Sequence, residues 1–285
     1  MIMAPTLISF ATAVCIWAAA HAVEFQPPAP GTAIVEVLDV GKFEQSTLKG
    51  SVINVLGTSA LVVSTDASGT TRYMIFDTGM PVQMPNLCRA MRRLGLAPAV
   101  VDYLFTSHGH GDHVSGSGLF HRATVLYGGL MGASTFDTSA KVTQSELDVD
   151  ADGKPLARED VPIDDNVRYL RTPGHSKDFD VALIVSNVVG LKKDEATGDS
   201  LPVTVALTGD IVQQERTITE DLAVHEGNND AFPKKVVASQ KRLLCEEKAD
   251  FIVPGHADIF EVRQEVKDKM CDGHVPYKQP PKDEV

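Results

Sequence analysis

The densest chemical signal in this sequence is the segment 107–113, which reads SHGHGDH and holds three imidazoles and one carboxylate. Imidazole and carboxylate groups are the usual ligands of zinc and other borderline divalent ions. The two glycines leave the backbone free to wrap, so that neighbouring side chains can point to different places. A His-rich polar loop without a metal is the alternative, but this density of ligand groups favours a metal site formed by His108, His110, Asp112 and His113.

Three further ligand types occur in one shared context later in the chain. His175, Asp210 and His256 each come shortly after an apolar run, and a glycine directly precedes each of them. A glycine there allows a tight turn and presents the next side chain at the edge of a sheet. Each residue alone could be an ordinary loop residue. Together with the segment 107–113, they predict one shared metal centre.

The elements that must position these residues follow from apolar patterning. The first third predicts an antiparallel meander with strands at 33–38, 51–56, 60–64 and 72–76, followed by a helix at 84–94. Further predicted strands lie at 100–105, 124–127, 167–170, 181–185, 203–207 and 251–253, and further helices at 234–247 and 259–269. The polar stretch 135–165 is interpreted as an exposed insertion in a single domain covering 23–285.

The order of the ligand residues resembles the signature of the metallo-β-lactamase superfamily, over roughly residues 33–265. The resemblance implies an α/β fold, the αββα four-layer sandwich. It includes the motif Phe76-Asp77-Thr78-Gly79, which occupies the place of the family's first motif. Asp77 is therefore expected to support the metal loop from behind, with an ordinary turn residue as the alternative.

The resemblance also implies roles for each ligand residue. One metal would be held by His108, His110 and His175, the other by Asp112, His113 and His256, with Asp210 bridging the two. Two divalent ions are expected, zinc first and manganese or iron as alternatives. Such a pair lowers the pKa of a shared water to about 7, so that a metal-bound hydroxide serves as the nucleophile. Asp112 and Asp210 are the catalytic candidates, for proton handling.

These expectations describe a dinuclear metal-dependent hydrolase with an open choice of substrate. The segment 116–120 and the pair Asp180-Val181 resemble animal members of the superfamily that are linked to cleavage of histone pre-messenger RNA, which favours an endoribonuclease-like phosphodiesterase on single-stranded RNA. Hydrolysis of a small thioester, lactone or other ester is the alternative. Iron-dependent oxidation and a non-enzymatic metal- or ligand-binding module also remain open.

Other classes are disfavoured. A true β-lactamase lacks the bridging carboxylate that Asp210 would provide, and only 45 residues separate Asp210 from His256, too few for the large inserted domain of some nucleases. The net charge of −12 argues against a broad nucleic-acid surface, because such surfaces neutralise phosphates with cations. A local basic patch of Arg89, Arg92 and Arg93 could still meet an RNA strand. His225 is a candidate at the substrate opening.

The N-terminus predicts a signal peptide at residues 1–22. The apolar run 7–20 is followed by Ala20-His21-Ala22, a small-x-small cleavage pattern, and the run is shorter than the roughly 20 residues of a membrane-spanning helix. The secretory pathway, with secretion or retention in the endoplasmic reticulum, is therefore expected; cytosol and nucleus are the alternative.

Cys245 and Cys271 could pair, although reduced thiols are an equal alternative. No feature of the sequence determines the oligomeric state.

Overall fold

The computed structural model describes residues 25–45, 52–127, 148–149, 155–156, 160–176, 180–219 and 232–272. The predicted signal peptide lies outside these residues, as do His225 and the greater part of the predicted insertion. Within the described ranges, no helix has the length and apolar character that crossing a lipid bilayer requires.

Strands are the most numerous elements of the described chain. They are β1 (Thr32–Asp39), β2 (Lys42–Gln45), β3 (Val52–Leu56), β4 (Ser59–Thr65), β5 (Thr71–Phe76), β6 (Tyr103–Thr106), β7 (Thr124–Tyr127), β8 (Asp148–Val149), β9 (Pro155–Leu156), β10 (Asp160–Pro162), β11 (Val167–Arg171), β12 (Val181–Lys193), β13 (Ser200–Gly209), β14 (Phe251–Pro254) and β15 (Phe260–Glu261).

The helices are fewer and mostly short. They are α1 (Met84–Arg93), α2 (Gly111–Val114), α3 (Arg216–Thr219), α4 (Pro233–Lys241) and α5 (Gln264–Cys271). Single turns of 3-10 helix occupy Pro81–Gln83, Pro98–Val100 and Ser117–Phe120, and a π-helical turn, Arg242–Glu246, continues α4.

One mixed sheet contains eleven of the strands in the described residues, with the main order β15-β14-β13-β12-β1-β4-β5-β6-β7. Strand β12 joins its two halves. The first part of β12 pairs antiparallel with β11, and Val188 further along is in parallel register with Ala33 of β1. Strands β5, β6 and β7 are parallel, as are β13 and β14, so the ends of β6, β13 and β14 can carry loops at one edge.

The two halves of the sheet pack face to face. Along β4, Ala60 and Val62 point into the core between the halves, whereas Leu61 and Val63 point outward. The alternation follows from the two-residue period of a strand. Val205 and Val253 from the second half share the inner core with Val62.

Helices cover both outer faces. Leu87 and Met91 of α1 pack on the outer face that includes Leu61, while Val236 of α4 and Val266 of α5 pack in the cluster on the opposite side. The order of layers is therefore helix, sheet, sheet, helix, which confirms the predicted αββα four-layer sandwich.

Several predicted elements need correction. Strands β2 and β3 leave the meander and pair with each other, so the antiparallel run of the first third consists of β1, β4 and β5. The last helix begins only at Gln264, because the residues before it include β15. Within the last part of the predicted insertion, Asp160–Pro162 forms strand β10, which pairs with β11.

Three other strands have boundaries that differ from the prediction. Strand β6 begins at Tyr103, because Pro98 starts a 3-10 turn just before it. Strands β12 and β13 are longer than the predicted strands 181–185 and 203–207, and together they form a long hairpin. The turn of this hairpin is closed by Asp194 Oδ1, which accepts the N–H groups of Ala196 and Thr197.

A disulfide links the helical layer of the second half. Cys245 in the π-helical turn is bonded to Cys271 at the end of α5. Of the two alternatives that the sequence left open, the paired state is therefore the one observed.

Candidate metal centre

All seven predicted ligand residues meet at one edge of the sandwich. Strand β6 ends one residue before Ser107, so His108 and His110 lie in the loop that follows it, and Asp112 and His113 lie on the short helix α2. His175, Asp210 and His256 follow β11, β13 and β14 within a few residues. The strands supply the rigid support, and the loops bring ligands from distant parts of the sequence together.

The first group of ligand atoms contains three imidazoles and one carboxylate. His110 Nδ1 lies 2.9 Å from His108 Nε2 and 3.1 Å from His175 Nε2. His175 Nε2 in turn lies 3.3 Å from Asp210 Oδ2. One ring nitrogen cannot make good hydrogen bonds to two others at once, whereas ligands of a tetrahedral zinc ion at about 2.0–2.1 Å are separated by about 3.3 Å.

The second group contains two imidazoles and two carboxylates. His113 Nε2 lies 3.3 Å from Asp112 Oδ2 and 3.2 Å from Asp210 Oδ1. His256 Nε2 lies 3.1 Å from Asp210 Oδ1 and 3.7 Å from Asp112 Oδ2. The spacing again matches that of ligands around a common ion.

Three atoms of this second group test whether a metal fits. His113 Nε2, Asp112 Oδ2 and Asp210 Oδ1 are buried and have no hydrogen-bond partner. An unsatisfied buried carboxylate or imidazole nitrogen is costly, and a divalent cation is the partner that would satisfy all three atoms together. The residues therefore fit a metal ion.

Asp210 belongs to both groups, because its carboxylate lies between them. Oδ1 is near His113, Oδ2 is near His175, and His256 Nε2 lies 3.1 Å from both oxygens. The side chain is also held from outside the ligand set: Gln213 Nε2 donates a 2.9 Å hydrogen bond to Oδ2, and the Gln213 side chain is buried. Gln213 has no sequence signal that separates it from an ordinary polar loop residue.

Asp77 lies behind the ligands, as the resemblance implied. Its Oδ2 is 2.7 Å from His113 Nδ1 and accepts a 2.7 Å hydrogen bond from Ser107 Oγ, while its Oδ1 accepts the Ser107 N–H. Ser107 Oγ also lies 2.9 Å from His108 Nδ1. These contacts place the Nδ1 protons of His108 and His113 toward Ser107 and Asp77, which leaves the Nε2 atoms of both rings available for a metal. Asp77 has a φ of 56°, an uncommon conformation for a residue other than glycine.

His256 is oriented by the loop between β3 and β4. Its Nδ1 lies 2.9 Å from the carbonyl oxygen of Leu56, and Thr58 N–H donates to the carbonyl of Gly255 at 2.7 Å. On β2, the ring of Phe43 lies 5.6 Å from the His256 ring, measured between centroids. The hairpin β2–β3 thus touches the centre, although its sequence carries no ligand pattern.

The glycines that precede the late ligands act in two ways. Gly174 and Gly209 have positive φ values of 143° and 49°, so the predicted tight turns are confirmed. Gly255 has no positive φ, but a Cβ there would lie 2.1 Å from Asp210 Oδ1. Gly255 is therefore needed because Asp210 packs too closely against it to leave room for a side chain.

Charges in the centre balance one another. Burial alone would raise the pKa of Asp210, but the imidazoles of His256, His113 and His175 outweigh it and hold this pKa well below its usual value. Burial would lower the pKa of His113, but Asp210, Asp77 and Asp112 together raise it well above the usual range. His108 is different: burial, aided by its imidazole neighbours, lowers its pKa.

The remaining predicted residues lie elsewhere. Arg89, Arg92 and Arg93 are exposed on α1, and the last two are in its final turn. Helix α1 begins directly after Gln83, whose Nε2 donates to the carbonyl of Gly57, and Gly57 lies next to the ligand loop. The first turn of α1 is therefore near the centre, and the last turn, with Arg92 and Arg93, lies at the far end of the helix. His225 is outside the described residues.

Comparisons with known proteins agree with this geometry. The model of the metallo-beta-lactamase superfamily matches residues 53–175. Uncharacterized protein C03F11.2 of Caenorhabditis elegans is 25% identical over 174 residues, which are 60% of this chain and 40% of that protein. Human metallo-beta-lactamase domain-containing protein 1 is 27% identical over 206 residues, 70% of this chain and 64% of that protein. The chain thus spans less than two thirds of the length of either relative.

A solved structure supports the fold. A metallo-beta-lactamase of Thermotoga maritima superposes with a TM-score of 0.52 at 20% identity, over 81% of this chain and 100% of that one. The similarity to animal members expected from the residues around the ligand loop is confirmed by the human relative. The chain belongs to the metallo-β-lactamase superfamily, whose members are mainly metal-dependent hydrolases.

Proposed function

We propose that this protein is a dinuclear metal-dependent hydrolase that acts on small acyl substrates, such as thioesters, lactones or other esters. The observation that carries the proposal is that three buried atoms without partners, His113 Nε2, Asp112 Oδ2 and Asp210 Oδ1, converge in the second group, beside the first group around His110. Zinc fits the nitrogen-rich first group best, with manganese or iron as alternatives.

When bound, two divalent ions lower the pKa of water and polarise the oxygen of the group under attack. The first ion would be held by His108, His110 and His175, the second by Asp112, His113 and His256, and Asp210 would contact both. The side chain of Asp112 is 13% exposed and that of Asp210 is 4% exposed. We therefore assign to Asp112 the transfer of a proton from the attacking water to the leaving group, and to Asp210 the fixed position between the two ligand groups.

The acyl substrate class is favoured by the aromatic groups near the centre. Phe43 lies against His256, and Phe232 donates its backbone N–H to the carbonyl of Gly174, directly before the ligand His175. The Phe232 side chain is 44% exposed. Exposed aromatic surface beside a polar centre suits the apolar part of an acyl substrate. The Lys235 ammonium lies 5.2 Å from the centroid of the Phe232 ring, so a negatively charged group on the substrate would also find a cation here.

RNA cleavage is the second candidate, and one observation favours it. Arg89, Arg92 and Arg93 are all exposed on α1, at spacings that place them on one side of the helix. They could follow a phosphate backbone that passes the centre. The overall charge of −12 and the position of Arg92 and Arg93 at the far end of α1 weigh against this candidate.

One comparison separates the candidates. Metal-loaded parent protein and Asp210→Asn are assayed on a panel of thioesters and lactones and on single-stranded RNA, at low and moderate salt. Turnover of acyl substrates by the parent alone, with little salt dependence, supports the proposal. Cleavage of RNA alone, falling steeply with salt, supports the second candidate. Inactivity on all substrates with two ions retained supports a binding module.

A matched pair of variants tests the acyl assignment further. Phe232→Ser should raise KM several-fold for long-chain acyl substrates and leave acetyl substrates unchanged. Leu201→Ser is the control, because Leu201 is also exposed, at 36%, but lies on the β12–β13 hairpin. Equal effects of the two variants, or no effect of Phe232→Ser, would argue against the assigned role of Phe232.

We also propose that the protein works in the secretory pathway, as the leader 1–22 predicts. The disulfide between Cys245 and Cys271 supports this placement, since disulfides persist in oxidising compartments and are rare in the cytosol.

A further inference from the structure

We infer that Asp180 is a positioning residue that holds the segment of His175 in the geometry that its ligand role requires. The inference goes beyond the proposed function but relies on its premise that the centre binds metal. Asp180 is buried, with 3% of its surface exposed, and among the described residues its carboxylate has hydrogen bonds to backbone N–H groups and to Ser176 Oγ but to no side chain of the seven ligand residues.

The Asp180 carboxylate binds the backbone on both sides of His175. Its Oδ2 accepts the N–H groups of Gly174 at 2.9 Å and of His175 at 2.8 Å. The N–H of Ser176 lies 2.8 Å from both oxygens, and Ser176 Oγ donates to Oδ1 at 2.5 Å. Three consecutive N–H groups that converge in this way form an anion-binding concavity, and here the chain supplies the anion itself.

The segment needs this support because its backbone is constrained. Gly174 has a φ of 143°, and a Cβ at this position would lie 2.5 Å from the backbone nitrogen of Val236. The segment is therefore pressed against α4 in a conformation available essentially to glycine alone. Without an acceptor, the buried N–H groups of Gly174 and His175 and the partly buried N–H group of Ser176 would each lose a charge-assisted hydrogen bond.

The peptide groups around Asp180 extend the same support to the other ligand loop. Thr172 N–H donates to the carbonyl of Asp180 at 2.8 Å, and Val181 N–H donates to the carbonyl of Ser107 at 2.9 Å. Ser107 directly precedes His108. Asp180 thus stands where the segments that carry His108 and His175 meet, and both of these residues belong to the first ligand group.

The test compares Asp180→Asn with Asp164→Asn by zinc titration against a chromogenic chelator. Asp164 is a matched control, because its Oδ1 also accepts two backbone N–H groups, from Asn166 and Val167, at the start of β11. We expect Asp180→Asn to lower the affinity for one of the two zinc ions by about 10- to 100-fold, which is the typical effect of removing a residue that orients a metal ligand. Asp164→Asn should lower the melting temperature of the apoprotein and leave both zinc affinities within about threefold of the parent, since it lies outside that shell.

Two backgrounds identify the affected position. In Asp112→Ala, where the first group remains intact, Asp180→Asn should reduce zinc affinity by the same factor. In His110→Ala, where the first group has lost a ligand, Asp180→Asn should cause no further loss. An equal loss in both backgrounds would overturn the inference.

The remaining outcomes are also decisive. Unchanged zinc affinity in Asp180→Asn, or an equal loss in Asp164→Asn, would show that Asp180 has only a general structural role. If Asp180→Asn does not fold, Ser176→Ala removes the single hydroxyl contact and should weaken the same equivalent a few-fold; no change in that variant would overturn the inference. A parent that binds no zinc would instead refute the proposed function.

Discussion

Substitution of Gly255 by alanine should disable the metal centre without removing any ligand. The added Cβ would lie 2.1 Å from Asp210 Oδ1 and 2.9 Å from the carbonyl carbon of Gly209. Because non-bonded carbon and oxygen atoms pack at about 3.5 Å, the Asp210 carboxylate would have to retreat by more than about 1 Å. Metal–ligand distances tolerate only about 0.2 Å.

The size of the effect follows from the position of Asp210 between both ligand groups. A retreat of its carboxylate disturbs the contacts with His113 and His256 at 3.2 and 3.1 Å and with His175 at 3.3 Å. We expect zinc affinity to fall at least about 100-fold, the upper end of effects seen for residues that orient ligands. Overpacking should also cost about 1–3 kcal/mol of apoprotein stability.

Equilibrium dialysis against zinc followed by elemental analysis measures the first effect, and thermal melting of the apoprotein measures the second. Gly118→Ala is the control: this glycine lies in the 3-10 turn after the ligand helix α2, has no positive φ, and a Cβ there would meet nothing within 4 Å. Two zinc ions bound to Gly255→Ala with the affinity of the parent would refute the reasoning.

Three further predictions follow from the same contacts and from the leader. Elemental analysis should find two ions per chain in the parent and clearly fewer in His110→Ala and Asp210→Ala, since each loses a ligand; a parent limited to one ion in excess zinc would contradict the dinuclear proposal. Burial would lower the pKa values of His113 and His256, but nearby carboxylates outweigh burial and raise both. Burial lowers the pKa of His108, which belongs to the first group. Protons should therefore displace metal more readily from the second group. Dialysis from about pH 8 to about pH 5 should therefore release the ion of Asp112, His113 and His256 first, and simultaneous release of both ions would count against this order. Cleavage after Ala22 removes the only tryptophan, Trp17, so intact mass and fluorescence of secreted protein should show a chain that starts at Val23 without tryptophan emission; a mature chain that begins at Met1 would exclude processing.

The ligand residues could be predicted from the sequence because each follows a short, clearly apolar strand. Strand β13 ends at Gly209 and β14 at Pro254, so Asp210 and His256 are marked by local pattern alone. Parallel pairing of these strands then places both residues at one edge. Patterns of this kind are local, and the chemistry of the centre depends on where strands end.

The supporting contacts could not be predicted in the same way, because they join residues far apart in sequence. His256 meets the carbonyl of Leu56, a backbone atom without any side-chain signal. Strand β3 reads as one more strand of a meander, and only the tertiary structure shows that it pairs with β2 and brings Phe43 to His256. Asp180 contributes to the sequence resemblance, but its supporting role follows only from its contacts with Gly174 and Ser176.

These supports imply that the centre is formed before metal binds. The Nδ1 atoms of His108, His113 and His256 face Ser107, Asp77 and the Leu56 carbonyl, and those partners are themselves held by strand ends or by other hydrogen bonds. Metal binding to such a site does not need to order the chain, unlike binding in small zinc domains that fold only with metal. The apoprotein should therefore keep its sheet, and the ion should add stability through binding to the folded state alone. For the same reason, changes that shift the supports, at Gly255 or Asp180, act on metal affinity more strongly than on the fold.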